Sequence, residues 1–194
     1  MSNYESYSHL FRGSWSIHNQ EKPSWDLVKT FLNKDCVFLD IGCQKGIYSQ
    51  GVIDIFGEDC SVYGFDVLDH PEIKLIENAH DNFKFIHSAV GDGKSNVDCV
   101  VHYDTNTKLE NQQTISIDDF CTENNLKKVD FVKIDVDGCE TSVLSGMIKT
   151  LQDFSPVLMI EIENDFDSKV KFLENYGYKY MCARNDINRF FSKQ

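Results

Sequence analysis

The sequence predicts an α/β fold in which a mainly parallel sheet is covered by helices. Residues 37–46 indicate a strand that runs into a glycine-rich turn ahead of a helix, and residues 60–66 indicate a second strand that ends in an acid. Residues 155–163 are nearly all apolar, which is typical of a strand buried on both faces between layers of helices. A glycine-rich turn between strand and helix brings backbone N–H groups close to a ligand.

The length predicts a single domain, 1–194, because a chain of this size can bury one substantial core and leaves little room for a second. Within it we expect an N-terminal lid or helix segment, 1–34, and a cofactor-binding core, 35–194. An apolar stripe at helical spacing in the first segment predicts a helix that begins near Ser24.

Charge and composition exclude several classes of function. The net charge of −12 disfavours a nucleic-acid partner, since binding a phosphate backbone needs clustered Lys and Arg. No apolar run approaches the length of a membrane span, and the N-terminus lacks the layout of a signal peptide. The seven cysteines form no C-x-x-C pair and indicate free thiols in a reducing compartment, so we expect a cytoplasmic protein.

The turn between Gly42 and Gly46 fits neither of two common phosphate-binding loops. A dinucleotide loop needs glycine at its third and sixth positions, where Gln44 and Ile47 stand, and a P-loop needs four residues between its glycines, where three intervene. The pattern suits a ligand without phosphate, with Asp40 available to a cationic or amine group. S-adenosylmethionine is such a ligand. A plain strand-to-helix turn is the alternative.

Asp66 ends the second predicted strand, 20 residues beyond Gly46. A carboxylate at this place can accept both hydroxyls of a ribose, although a solvated strand-end acid is the alternative. A third predicted strand, residues 83–90, would end beside the adenine edge. Residues 94–120 then interrupt the alternation of strands and helices, and they predict an extra hairpin or surface excursion that borders the site.

A second group of charges surrounds the strand predicted over residues 130–134. Asp135 falls at its carboxyl end, where α/β sheets bind ligands, and strand alternation would place Lys133 on the same face. The pattern is not a calcium loop, because Lys133 and Leu144 stand where oxygen ligands are needed. Mg²⁺ bound through Asp135 and its neighbours is an alternative that we do not favour, since clustered acids are often merely solvated.

Together these stretches resemble the FkbM family of S-adenosylmethionine-dependent methyltransferases. The match runs from about residue 36 to residue 183, and its most specific part is Lys-Ile-Asp-Val-Asp-Gly-Cys-Glu at 133–140. The chain departs from the family pattern at Asp66 and Asp137, where Glu is usual, and at Cys43-Gln44. The matching segments are 37–49, 62–66, 116–120, 131–146 and 156–161.

The resemblance implies a Rossmann-like, seven-stranded methyltransferase sheet, mostly parallel with the last strand pair antiparallel, and with helices on both faces. It also implies an O-methyltransferase whose acceptor is a sugar hydroxyl in a glycan or glycosylated metabolite. The alternatives are methylation of a non-sugar small molecule, a catalytically silent S-adenosylmethionine-binding module, and an enzyme that uses a nicotinamide cofactor. The missing third-position glycine disfavours the last of these.

Asp135 is the residue that we expect beside the transferred methyl, where it orients or deprotonates the acceptor hydroxyl. Lys133 and Glu161 are expected to be supporting charges. The predicted cofactor-binding residues are Asp40, Gly42, Cys43, Gln44, Gly46, Tyr48, Asp66, Val67, Ser88, Ala89, Val90 and Asp135.

Overall fold

A seven-stranded sheet forms the centre of the structure, a computed structural model that describes residues 15–101, 107–185 and 187–193. The strands in chain order are β1 (Val37–Ile41), β2 (Ser61–Asp66), β3 (Phe83–His87), β4 (Ala89–Val90), β5 (Asn96–Val101), β6 (Thr107–Ile115), β7 (Phe131–Ile134), β8 (Val157–Glu161), β9 (Tyr178–Arg184) and β10 (Asn188–Lys193). The α-helices are α1 (Trp15–Phe31), α2 (Ile47–Phe56), α3 (Pro71–Ala79), α4 (Ile117–Glu123), α5 (Glu140–Ser145), α6 (Ile148–Asp153) and α7 (Phe166–Glu174).

The order across the large sheet is β3-β2-β1-β7-β8-β10-β9. Strands β1, β2, β3, β7 and β8 pair in parallel, whereas β10 runs antiparallel to both β8 and β9. The predicted sheet, mostly parallel with an antiparallel last pair, is therefore confirmed. Because β1 lies between β2 and β7 and is parallel to both, the carboxyl ends of these three strands meet at one edge of the sheet.

Two apolar clusters cover the two faces of this sheet. Phe38 of β1 faces a cluster that includes buried residues of α1, α2 and α3. Its neighbour Leu39 faces the other cluster, which includes buried residues of α4, α5, α6 and α7. Successive side chains of a strand point to opposite faces, so a strand that is buried along its whole length, such as β1, needs helices on both sides. The predicted helices on both faces are confirmed.

The expected hairpin forms from β5 and β6, which pair antiparallel. Strand β6 also pairs in parallel with the short β4, and the three strands make a separate small sheet. Strand β4 follows β3 directly, so this small sheet stands beside the carboxyl edge of the large one.

The N-terminal helix begins earlier than the sequence predicts. Helix α1 begins at Trp15 and includes Pro23, so the expected start near Ser24 is wrong. Ser24 is instead fully buried, and its hydroxyl accepts a hydrogen bond from Asn188 Nδ2 at 2.9 Å. Ser24, which the local sequence suggested as the N-cap of a helix, therefore makes a tertiary hydrogen bond instead. The division into 1–34 and 35–194 stays a prediction, and residues 1–14 of the lid segment lie outside the described residues.

Across the described ranges, no helix combines the length and the apolarity that crossing a membrane requires.

Candidate functional site

The turn after β1 requires glycine at both of its ends. Gly42 has a φ of 74°, and a Cβ there would stand 1.7 Å from the carbonyl oxygen of Asp135. Its N–H donates to the carbonyl of Phe65 at 2.9 Å, so the turn lies between the ends of β2 and β7. Gly46 has a φ of 78°, and a Cβ there would stand 2.5 Å from Ile76 Cδ1. At Gly42 the positive φ and the contact with backbone both exclude a side chain, whereas at Gly46 the positive φ is the main constraint.

A cleft of about 600 Å³, including its open mouth, lies at the carboxyl edge of β1, β2 and β7. The predicted cofactor-binding residues that line it are Gly42, Gln44, Asp66, Val67, Ser88, Ala89, Val90 and Asp135. The lining residues that sequence reasoning missed are Ile41, Phe65, His70, Val97, Cys99, Val136, Asp137 and Cys139.

Asp66 is positioned by the turn that follows β1. Its Oδ2 accepts the backbone N–H of Gln44 at 2.8 Å, and its Oδ1 accepts that of Leu68 at 2.9 Å. An ionised carboxylate offers about four acceptor sites, so both oxygens keep a lone pair for further donors. A side chain that lines the cleft with this spare capacity fits a pair of ribose hydroxyls.

Three predicted cofactor-binding residues support the turn from behind instead of lining the cleft. Cys43 is buried, and Gly46 is the N-cap residue directly before α2. Tyr48 is also buried, and its hydroxyl donates to Glu21 Oε2 at 2.5 Å. Glu21, on α1, was missed because the strand and turn motifs all lie later in the chain. Glu21 connects α1 to Tyr48, and the centre of the Tyr48 ring lies 5.5 Å from Lys133 Nζ.

Lys133 occupies the centre of a buried charge cluster. Its Nζ lies 3.1 Å from Asp135 Oδ2 and 3.4 Å from Asp40 Oδ1, and it donates to the carbonyl of Gly42 at 3.0 Å. Burial disfavours its charge, but the carboxylates of Asp135 and Asp40 outweigh burial and raise the pKa of Lys133. The ammonium therefore stays protonated and holds Asp135 against the end of the turn.

Asp40 is the wholly buried member of this cluster. Its Oδ2 accepts a hydrogen bond from Ser49 Oγ at 2.7 Å, while its Oδ1 has only the ion pair with Lys133. Burial raises the pKa of Asp40 despite the nearby cation. The charge that this acid faces is therefore an ammonium of its own chain, and Asp40 does not line the cleft.

Glu161 ends β8, and its carboxyl group lies close enough to Asp135 to feel the charge of that residue. Burial and then the charge of Asp135 raise the pKa of Glu161 to about 8. At neutral pH the Glu161 side chain accordingly holds a proton. The structure thus brings together the three residues predicted to be catalytic, Lys133, Asp135 and Glu161.

A second cleft adjoins this cluster and is mostly acidic. It encloses about 630 Å³ including open solvent, and it shares Asp137 with the first cleft. Glu161 lines it together with Glu163 and Asp165. In the parts of the chain that the structure describes, no three His, Cys, Asp or Glu side chains are grouped so that they could hold a metal ion.

Comparison with known proteins agrees with this architecture. The family model described as the methyltransferase FkbM domain matches residues 64–180. The solved FkbM methyltransferase of Methylobacillus flagellatus KT shares 15% identity with a TM-score of 0.60, covering 83% of this chain and 44% of its own. This chain therefore spans less than half the length of that protein. No curated protein matches the chain.

Two further solved structures share the fold. The 1,6-didemethyltoxoflavin-N1-methyltransferase of Burkholderia thailandensis, which has S-adenosylhomocysteine bound, is 12% identical with a TM-score of 0.53, covering 98% of this chain and 84% of its own. Fibrillarin of Aeropyrum pernix, with natively bound S-adenosyl-L-methionine, is 13% identical with a TM-score of 0.53. The match covers 88% of this chain and 73% of the fibrillarin chain. Identities this low show the fold alone, whereas the family match covers more than half of the described sequence. The chain belongs to the methyltransferase FkbM domain family.

Proposed function

We propose that this protein is an S-adenosylmethionine-dependent O-methyltransferase that acts on a hydroxyl of a sugar, in a glycan or a glycosylated metabolite. Membership of the family gives the class, a methyltransferase, and two structures of the same fold hold S-adenosylmethionine or its product. The observation that carries the proposal is the position of the cleft, which Asp135 lines and which lies beside the ion pair of Asp135 with Lys133 and beside Glu161.

The cleft offers separate surfaces to the parts of this cofactor. Asp66 would accept the ribose hydroxyls, since both of its oxygens retain acceptor capacity. The short strand β4 and Ser88 would border the adenine. Gly42 and Gln44 would lie along the amino-acid end, where the absence of a side chain at Gly42 lets the backbone approach closely. When bound, S-adenosylmethionine supplies an electrophilic methyl group on a sulfonium.

Asp135 would receive the acceptor hydroxyl. Methyl transfer is an in-line displacement, so orienting the attacking oxygen provides much of the rate enhancement. The Asp135 carboxylate can accept the hydroxyl proton as the new C–O bond forms. Lys133 keeps this carboxylate in place through its ion pair, and a protonated Glu161 would be able to donate a hydrogen bond to it.

The acidic cleft supports a polyhydroxylated acceptor. Glu161, Glu163 and Asp165 supply oxygens that accept hydrogen bonds from sugar hydroxyls. The carboxylates of Glu163 and Asp165 would repel a phosphate backbone, so we propose that the acceptor is not a nucleic acid. All seven cysteines are free, which fits the cytoplasm as the proposed location.

The first test is calorimetric titration with S-adenosylhomocysteine, with NAD as the parallel control. We expect one-site binding of S-adenosylhomocysteine alone, and loss of that binding in Asp66→Ala. Binding of NAD alone would contradict the assignment of the cleft.

The second test measures methyl transfer to a panel of sugars, with non-sugar hydroxyl compounds as comparison. Asp135→Asn should keep its affinity for S-adenosylhomocysteine and lose turnover. Near-normal turnover in this variant would refute the role of Asp135. Cofactor binding without methyl product across the panel would instead support a catalytically silent binding module.

A further inference from the structure

We propose that Cys99 and Cys139 form a thiol modification site inside the cofactor cleft, so that a small disulfide and the cofactor exclude each other. The proposal rests on the proposed function, because it requires that this cleft binds S-adenosylmethionine. It assigns a consequence to two lining residues to which neither the sequence analysis nor the catalytic cluster gives a role.

The two cysteines reach the cleft from different elements. Cys99 belongs to β5 of the hairpin, and Cys139 stands directly before α5. Both line the cleft that also contains Asp66. The Cys139 thiol donates to the backbone carbonyl of Asp98 at 3.7 Å, a long contact that ties the segment after β7 to the hairpin. The two cysteines therefore line the same cleft from two elements that are in contact.

Accessibility separates these two thiols from most of the others. Cys99 and Cys139 are partly exposed, and so is Cys182 on β9. The remaining cysteines are buried: Cys36, Cys43, Cys60 and Cys121. Cys182 does not line the cleft, and β9 is the outer strand of the sheet at the end remote from β2. Its thiol is thus a matched internal control for reagent access.

The surroundings keep both thiols neutral at physiological pH. Burial, followed by the neighbouring Cys139, raises the pKa of Cys99 to about 11. Burial and the adjacent Glu140 raise the pKa of Cys139 as well. A neutral thiol can pack against an adenosine without an electrostatic cost. Reaction with a disulfide requires the thiolate, so the rate at each site should rise about tenfold per pH unit below the pKa.

The modification itself is thiol–disulfide exchange. A cysteine loses its proton to solvent, and the thiolate attacks one sulfur of the disulfide. A mixed disulfide forms, the original S–S bond breaks, and the other half leaves as a thiolate. Electrons balance with the small disulfide as the only co-reactant. An aromatic group attached to either cysteine would fill volume that the adenosine end of the cofactor needs.

The experiment uses dithiodipyridine as the probe, since a neutral disulfide is not repelled by Asp66 and Asp135. Labelling at about pH 8.5, where the thiolate fraction is larger, is followed by mass spectrometry of the cysteine peptides. With S-adenosylhomocysteine at about 100 times its Kd, mass action predicts that labelling of Cys99 and Cys139 slows by at least tenfold. Labelling of Cys182 should not change.

The reverse experiment compares the Kd for S-adenosylhomocysteine before and after labelling within each protein. Wild type and Cys182→Ser should lose at least tenfold in affinity, whereas the double variant Cys99→Ser, Cys139→Ser should show the same Kd before and after treatment. Because the protection experiment uses wild type alone, it does not depend on the folding of the variant.

Two different failures are distinguishable. If S-adenosylhomocysteine binds by calorimetry but leaves the labelling rates of Cys99 and Cys139 unchanged, the modification site is refuted and the proposed function stands. If untreated wild type does not bind S-adenosylhomocysteine at all, both the modification site and the proposed function are refuted. An equal loss of affinity in the labelled double variant would also refute the site.

Discussion

Replacing Lys133 by Met tests the buried charge cluster most directly. Lys133 is 5% exposed and Asp40 is 0% exposed, so no water can take over the role of the missing ammonium. Methionine has a similar length and leaves no large cavity. The variant keeps the packing and removes the only cation whose ion pair with Asp40 the structure describes, together with the hydrogen bond to Gly42.

The magnitude follows from the asymmetry of buried ion pairs. Removing one partner and leaving the other charge buried costs about 3–5 kcal/mol of the free energy of unfolding. We expect Lys133→Met to fall within this range. Adding Asp40→Asn to the same chain removes the unpaired charge and should recover at least about 1 kcal/mol, since an unsatisfied buried polar group costs roughly 1–3 kcal/mol and a charged one more.

The loss of stability in Lys133→Met should also depend on pH. Burial already raises the pKa of Asp40 in the wild-type protein, and without Lys133 it rises further. A carboxyl whose pKa is raised by folding contributes its stability below its unfolded pKa and loses it as the pH rises through its folded pKa. Lys133→Met should therefore be closest to wild type under acidic conditions and fall behind as the pH approaches neutrality.

The assay is urea unfolding at about pH 5 and about pH 8. Lys34→Met is the matched control, since Lys34 forms an exposed ion pair with Asp59 and should change stability little. A loss below about 1 kcal/mol for Lys133→Met, or a loss independent of pH, would refute the view that Asp40 depends on this cation.

Three further predictions concern the turn at Gly42, the raised pKa of Glu161 and the dependence on metal ions. Gly42→Ala should lower the free energy of unfolding, measured in urea, by roughly 2–4 kcal/mol, because a Cβ would clash with the Asp135 carbonyl and the positive φ adds strain. It should also abolish S-adenosylhomocysteine binding. Unchanged binding would contradict the view that the Gly42 backbone lies against the cofactor. Folding raises the pKa of Glu161 from 4.5 to about 8. As the pH rises through this range, the free energy of unfolding of wild type should fall by about 2 kcal/mol relative to that of Glu161→Gln, a figure that allows for solvent screening. Parallel pH–stability curves for the two proteins would contradict the raised pKa. Chelation with EDTA should leave the affinity for S-adenosylhomocysteine and the methyl transfer unchanged, whereas activity restored only by Mg²⁺ would establish a metal site.

Local patterns predicted the elements that lie along the chain. The apolar run of β1, the glycines after it and Asp66 were readable because strand periodicity and turn conformation are properties of a few neighbouring residues. The hairpin of β5 and β6 was predicted for the same reason, as an interruption of the alternation. The start of α1 was not, since the burial of Ser24 depends on Asn188, more than 160 residues away.

The sequence by itself determined the parallel sheet, the glycine turn and the acids at the strand ends, and through them the family. Only the tertiary structure decided which charges meet: Lys133 donates to Gly42 across 91 residues of chain, and Tyr48 donates to Glu21 of α1. It also decided that Cys99 and Cys139 share one cleft. The reason is physical. Backbone conformation depends on near neighbours, whereas ion pairs and clefts form where packing brings distant segments together.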